Sequence, residues 1–553
     1  MPASGTTCAR HCAAPPTREE PSLLEANVGW LSQPGNTDRV RRGSRGIEKE
    51  SLRVDVNGQL AKTPHPPTIG SALTHPYLTT DYSEALLEFV TPPYTSNWQT
   101  LQFLCDLHGF VHRRLDGELL WPASMPCVIN PNEEIPIAAY GPSNAGQMRT
   151  IYRRGLGFRY GRAMQAIAGA HFNFSLPQEF WEAYRGYCRA DAPLAAFKSE
   201  QMMGLVRNYR RCAWLVVYLF GASPAFCKSF RPERHELLQE LDRATWFGPY
   251  ATSVRMSDIG YRNSTQARLS ISANSLRDYV AGLTGAVTTA DPRYADIGVF
   301  VDGEFRQLNV NVLQIENEYY SSVRPKPRDR TIRAIAALRR DGVEYVEIRT
   351  LDLNALDPVG VNQAQMRVLE ALLLYCLLAD SPPISQEEQV EIDARDVQVA
   401  REGRRPGLQL SINGRPAGLR ATALALLRDV ASIASLLDGD SRDYSAAVDA
   451  ARAAVEDPEL TPSAKLVAEL RSTDASFFEY GLELARSHHQ YFLSLPLDPA
   501  KETMLDATAT SSLGETKALE ARADVPFAEY LKRYAETLGG PEGSAGKGSV
   551  ANL

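Results

Sequence analysis

No apolar run in this chain is long enough to cross a bilayer. The longest uncharged stretch, "CAWLVVYLFGASPAFC" (212–227), is broken by Gly221 and Pro224 and falls short of the roughly 20 residues a membrane helix needs. The N-terminal "MPASGTTCARHCAAPPTREE" lacks the apolar core of a signal peptide, so a cytoplasmic location is expected. Cysteine is sparse. Eight in 553 residues do not make a disulfide framework, and the pair Cys8 and Cys12 around His11 lies in Pro- and Ser-containing sequence that reads as disorder rather than a metal tract. Basic residues are not in excess: 59 Lys and Arg face 66 Asp and Glu, a net charge of −7. That balance excludes a nucleic-acid surface and points to small-molecule partners. Also missing are a GxxxxGK[ST] phosphate loop, a GxGxxG after a strand and a GxSxG elbow. "HGFVH" sets His108 and His112 one helical turn apart without the Glu of HExxH, and it reads as surface.

What is present is ordinary globular composition, 44% hydrophobic and 23% charged, with room for roughly two to four domains or one large catalytic domain with additions. From about 45 to 355 short alternating segments interleave with helical ones. "GAHFNFSL" (169–176) sets His171, Asn173 and Ser175 against Phe172, Phe174 and Leu176. "EYVEIRTLDLN" (344–354) groups Tyr345, Glu347 and Arg349, and "QLNVNVLQIENE" (307–318) reads as a strand that loses phase near Leu313. Beyond about 363, Ala/Leu-rich stretches with helical spacing follow one another, separated by turns such as "DSPPIS" (380–385). This helical third is expected to pack around the sheet and to carry little chemistry.

The polar faces of the strands hold an unusual number of acids. In "RGIEKESLRV" (45–54), Glu48 and Glu50 point one way and Ile47, Lys49 and Ser51 the other, with no cation supplied on the acidic face. "TTDYSEALLEFVTP" (79–92) adds Asp81, Glu84 and Glu88, the last two sharing a face in helix or strand alike. Any one of these acids alone would pass for a solvent-facing residue. Together they conflict with the avoidance of like charges on a sheet face. If that face lines a cavity, hard divalent ions are the usual compensation, with Mg²⁺ or Mn²⁺ bridging to substrate phosphates. The basic run "RPKPRDRTIRAIAALRR" (324–340) reads mostly as solvated loop and helix, with Arg324 and Lys326 within reach of phosphate oxygens.

At these residues the sequence resembles the glutamate–cysteine ligases of proteobacterial type. The stretches that carry the likeness include "RGIEKESLRV", "GSALTHPYLTTDYSEALLEFVTP", "WPASMPC", "YGPSNAGQMRTIYRRGL", "RYGRAMQAIAGAHFNFSLP", "YLFGASPA", "LQIENEYY" and "GVEYVEIRTLDLNALDPVG", spread over about residues 44–365. The resemblance implies an α+β fold similar to glutamine synthetase and the guanidino kinases. In such a fold a curved, mostly antiparallel sheet forms a metal-lined funnel covered by helices, ahead of a helical C-terminal third. Boundaries are expected at 1–22 (extension), 23–400 (catalytic core), 401–537 (helical part) and 538–553 (disordered tail).

The implied activity is ATP-dependent joining of the L-glutamate γ-carboxylate to the L-cysteine amine, the first step of glutathione synthesis. The alternative is a related ligase with another amine acceptor. Carried over by position, Glu48, Glu50, Asp81, Glu88, His171 and Glu347 resemble ligands of two or three Mg²⁺ ions (Mn²⁺ being the substitute). Arg349 resembles the cation that steadies the transferring phosphoryl group or the substrate carboxylate. Tyr82, Tyr152, Arg153, Gln165, Arg255, Tyr261 and Tyr320 resemble substrate-pocket residues, and Arg324 and Lys326 phosphate contacts. Tyr82 stands where relatives can carry Phe. The resemblance also implies a monomer, with glutathione as a feedback inhibitor.

Overall fold

The computed structural model describes residues 22–126, 129, 135–231, 236–260, 269–522 and 524–539. The Cys8–Cys12 tract and Tyr261 lie outside them, as do nearly all of the two expected tails.

Alternating sequence becomes a seven-stranded sheet. Its strands are β1 (Ser44–Asp55), β2 (Leu78–Thr80), β3 (Leu86–Val90), β4 (Glu118–Leu120), β5 (Ala170–Ser175), β6 (Val323–Lys326) and β7 (Tyr345–Leu351). The order is β6-β7-β5-β1-β3-β2, with β4 paired to the far end of β1, and the pairings are antiparallel. The apolar half of each alternation forms the rear face: Ile47, Phe89, Phe172, Val346 and Ile348 are all fully buried. Register aligns Ile47 with Phe172 and Phe172 with Ile348, so one row of large side chains runs across three strands. Burying each such side chain contributes about 1.5–3 kcal/mol. A one-residue slip of β1 would turn Ile47 to the front and Glu48 into this core, which is why the register is fixed.

Three helices cover the rear: α1 (Asn97–His112), α3 (Leu194–Phe220) and α4 (Gln363–Leu378). The last opens with a capping box, Asn362 accepting from Gln365 N and the Gln365 side chain accepting from Asn362 N. Helix α2 (Asn144–Tyr160), capped by Ser143, stands over the front face of the sheet. The C-terminal third is helical as expected and ends in α5 (Phe477–Ser494), α6 (Pro499–Glu520) and α7 (Phe527–Glu536). The whole is a mixed α/β structure with an antiparallel sheet and a helical C-terminal region. Among the described residues no helix is long and apolar enough to cross a membrane.

Three local expectations fail. Residues 307–318 do not form a strand: the polar side chains that produced the alternation tie loops together instead. Gln307 donates to the carbonyls of Tyr294 and Gly298, and Asn309 to that of Gln314. Glu84 does not share a face with Glu88, because the chain turns at 82–85 and the Glu84 carboxylate accepts from His65 N and Ala139 N at 2.7 Å each. His108 and His112 are buried, not on the surface. They stack on Phe89 and Phe492, with centroids 4.3 and 4.9 Å apart, and His108 Nε2 lies 3.3 Å from Lys49 Nζ. The rear-facing Lys49 thereby sits among rings and donates to Ser51, and burial alone pushes it down to about 7.

Candidate active site: acids and cations in one cavity

The front face of the sheet is the floor of a cavity of about 830 Å³. β1 turns Glu48 into it and Glu50 to the same face, buried and outside the lining, and register sets Glu48 beside His171 of β5 and Glu50 beside Glu88 of β3. Residues directly opposite on antiparallel strands share a face, so four ligand-type side chains meet there. Glu48, Glu88 and His171 each bring one ligand atom within 4.8 Å of the others. Glu48 Oε1 accepts from Asn173 Nδ2 at 2.9 Å, and Glu50 Oε2 accepts from Gly169 N at 2.7 Å. Gly169 leaves room for Arg255: a Cβ here would lie 2.1 Å from its guanidinium and force that side chain to move. Asp81 follows β2 and lines the same cavity.

Burial is the largest influence on Glu48, Glu50, Glu88 and His171. At Glu50 it combines with the Asp81 charge and raises the carboxyl from 4.5 to about 8, against Arg255, Arg349 and the Gly169 N–H. Glu88, half-buried beside Glu48, Asp81 and Glu50, is pushed well above 4.5 by desolvation and those charges. At Glu48 burial is outweighed by the His171 hydrogen bond and the charges of His171 and Lys326, and the carboxyl settles at about 2. Burial and Arg349 lower the His171 imidazole. Its neutral form donates Nδ1–H to Glu48 Oε2 at 3.2 Å, which leaves the Nε2 lone pair facing Glu50 Oε1 at 3.9 Å. Two acids held up by burial and neighbouring charge, beside an imidazole lone pair, form a site that favours a cation. Oxygen donors with one imidazole suit a hard divalent ion.

The floor does carry its own cations, contrary to the reading of β1 alone. Glu347 lies level with Asn173 and Arg324, and Lys326 level with Tyr345. Lys326 Nζ and Arg349 Nη1 hold the Glu347 carboxylate at 2.9 and 2.5 Å, and these charges with Arg324 outweigh its burial and keep its pKa well below 4.5. Glu347 is therefore ion-paired and is not one of the three converging ligand atoms.

The other expected residues divide. Tyr152 and Arg153 on α2 line the cavity, and Arg153 donates to the carbonyls of Asp81 and Thr80. Arg324 also lines it, donating to the Asn317 carbonyl at 2.7 Å. Tyr82, Gln165, Arg255 and Tyr320 do not line it. Tyr82 is 1% exposed beneath α2, and a Cβ on Gly157 would lie 2.5 Å from its hydroxyl. Arg255 is buried, donates to the Arg349 carbonyl at 3.1 Å and lies 3.6 Å from Asp352; it steadies the strand that presents Arg349. Tyr320 donates to Met256 Sδ at 3.2 Å next to that turn. Lining residues not foreseen are Arg149, Arg333, Glu515, Arg522 and Tyr534. Arg149 had a readable signal, four residues before Arg153 on one helix face; the C-terminal ones had none.

Along the strands the site has a direction. Along β7, Arg349 lies past Glu347 in one sense, its carbonyl accepting from Arg255. In the other sense, past Tyr345 of β7 and Gly46 of β1, a cleft of about 950 Å³ opens, lined among others by Tyr77, Ser175, Lys198 and Arg330.

Residues 28–399 match the family described as glutamate-cysteine ligase. The chain is 46% identical over 529 residues to the glutamate–cysteine ligase of Azotobacter vinelandii, covering 94% of this chain and 99% of the relative. It is also 46% identical to that of Alcanivorax borkumensis, over 89% of this chain and 95% of the relative. The crystal structure of a glutamate–cysteine ligase from Francisella tularensis in complex with AMP superposes with a TM-score of 0.85 at 34% identity, covering 90% of this chain and 98% of that one. A bifunctional glutathione synthetase from Pasteurella multocida, at 22% identity, a TM-score of 0.69 and 88% and 58% coverage, shares the fold. The chain belongs to the glutamate–cysteine ligase family.

Proposed function

We propose that this protein joins the γ-carboxylate of L-glutamate to the amine of L-cysteine at the expense of ATP, giving γ-glutamylcysteine, ADP and phosphate. The observation that carries the reading is the arrangement along β1, β5 and β7. Ligand-type acids occupy the middle of the cavity floor, a cation-bearing end holds Arg349, and an open cleft lies at the other end. In this reading the floor is the inside of a funnel. The nucleoside of ATP occupies the cleft beside Tyr77 and Tyr345, the triphosphate lies over the acids, and the amino acids sit at the Arg349 end.

Glu48, Glu88 and His171, with Glu50 and Asp81 beside them, are the residues that would hold Mg²⁺ or Mn²⁺, which supplies charge neutralisation to phosphate oxygens when bound. Lys326 and Arg324, on the edge strand, face the triphosphate from the side. Arg349 is placed to balance the charge that builds on the phosphoryl group as it leaves ADP. The glutamate γ-carboxylate oxygen attacks the γ-phosphorus and the bond to ADP breaks. The resulting acyl phosphate is attacked by the neutral amine of cysteine, and phosphate departs with one former carboxylate oxygen. Tyr152 and Arg153 on the α2 wall hold the amino acids in line, so positioning and electrostatics supply the rate and no protein nucleophile is required.

The test is isotopic. With glutamate labelled with ¹⁸O in the γ-carboxylate, one labelled oxygen should appear in each phosphate released. Unlabelled phosphate with labelled peptide would reject carboxylate activation.

A further inference from the structure

The helices after residue 499 enter the sequence reading as packing. The structure places them on the cavity. Glu515 and Leu519 of α6, Arg522, and Tyr534 of α7 line it opposite the floor. The segment is tied down along its length. Ser71 Oγ meets Thr516 Oγ1 at 2.6 Å, Thr74 Oγ1 donates to the Ser512 carbonyl at 2.6 Å, Asn144 Nδ2 to that of Val525 at 2.8 Å, and Arg339 Nη1 to that of Leu538 at 2.8 Å. Phe527 forms a buried cluster with Met148, Ile151, Tyr152, Leu308 and Ile315, and Tyr534 packs against that cluster. On its other side the Arg333 guanidinium lies over the Tyr534 ring, 4.4 Å from its centroid. Arg333 is itself locked to Glu316, Nη2 to Oε2 at 2.6 Å and Nε to the same oxygen at 3.2 Å. Arg333, Glu316 and Tyr152 all line the cavity.

We propose that α7 is a working wall of the amino-acid end of the site, with Tyr534 the positioning residue that holds Tyr152 and Arg333 in place. The inference rests on the proposed ligase reaction, in which Tyr152 helps hold the amino acids in line, and it assigns Tyr152 to the cysteine of that pair. Tyr534 acts through its ring. It fills the space between a guanidinium that stacks on it and the apolar cluster beneath Tyr152, so losing the ring loosens Tyr152 and strips Arg333 of its stacking partner while the Glu316 pair remains, whereas losing only the hydroxyl does neither.

The experiment compares Tyr534→Leu, Tyr534→Ala and Tyr534→Phe in the full-length protein, reading KM separately for cysteine, glutamate and ATP, together with hydrogen exchange of the 148–153 backbone. Tyr534→Leu and Tyr534→Ala should raise KM for cysteine about tenfold while KM for ATP stays within twofold, and should speed exchange at 148–153; Tyr534→Phe should match the parent in both. Proportional changes in all three KM values, or unchanged cysteine KM in Tyr534→Leu, would overturn the proposal. Should the parent protein show no cysteine-dependent turnover, the ligase reading fails on its own. The exchange arm then still decides on the wall, since unchanged exchange in Tyr534→Leu refutes it.

Discussion

Replacing Glu88 by Gln should make the metal-free protein more stable and the enzyme nearly inactive. Glu88 is half-buried among Glu48, Asp81 and Glu50, and desolvation and those charges raise its folded pKa well above 4.5. A carboxyl whose folded pKa exceeds its unfolded value penalises folding, and the sign follows from linkage. Below pH 4.5 both states are protonated and nothing is lost; above it the unfolded state releases the proton while the folded state keeps it. The penalty grows by 1.36 kcal/mol per pH unit until pH passes the folded pKa. At pH 7.5 that is an upper bound of about 4 kcal/mol, which Gln removes because it never ionises. In a chain of this size the gain amounts to a few degrees in Tm. The assay is thermal unfolding in EDTA from pH 5 to 8. The difference between Glu88→Gln and the parent should be near zero at pH 5 and widen with pH. Adding Mg²⁺ should then raise Tm in the parent and much less in the variant, whose ligase activity falls by two orders of magnitude or more. A variant less stable than the parent at pH 7.5 in EDTA would refute the picture of repelling carboxylates.

Other outcomes follow from the same geometry. Glu347→Gln and Glu50→Gln should each lower kcat/KM by orders of magnitude with an unchanged circular dichroism spectrum, and near-normal turnover in either would remove it from the site. Lys326→Met should raise KM for ATP about tenfold more than KM for either amino acid, since Lys326 lies toward the open cleft; the reverse preference would invert the direction assigned to the substrates. Acid should destabilise the fold through histidines that burial keeps neutral. His65 is lowered to about 3 and His75 and His488 to about 4 from 6.5. Their contribution is complete above pH 6.5 and is lost as pH falls toward 4, so the Tm of His488→Gln relative to the parent should rise as pH falls from 6.5 to 4.5, and a pH-independent difference would contradict it. Phe172→Ala, which opens a cavity behind β5, should cost about 3–5 kcal/mol in chemical denaturation.

The sheet face was legible because its signal is local. Glu48 with Glu50, and His171 with Asn173, share faces by strand geometry whatever lies next to them. The partners of those residues were not legible, because antiparallel register decides them. Nothing in "RGIEKESLRV" shows that Lys326, far along the chain, lies 2.9 Å from Glu347 two strands away from β1. Glu84 misled because the even spacing assumed one continuous element where the chain turns. Residues 307–318 misled because amides that bond loop carbonyls alternate as well as strand residues do. His108 and His112 were misjudged as surface because the rings that enclose them, Phe89 and Phe492, come from distant segments. The role of α6 and α7 was invisible for the same reason. An amphipathic helix declares which of its faces is covered, and the sequence does not say that a cavity lies beneath one end.

The measurement that bears most directly on the central claim is ADP release from Mg-ATP and glutamate, with and without cysteine, with the product identified by mass. Cysteine-dependent release, one ADP for each γ-glutamylcysteine, is expected. Release that depends on a different amine, or no release under any of these conditions, would contradict the assignment of glutamate and cysteine to this cavity.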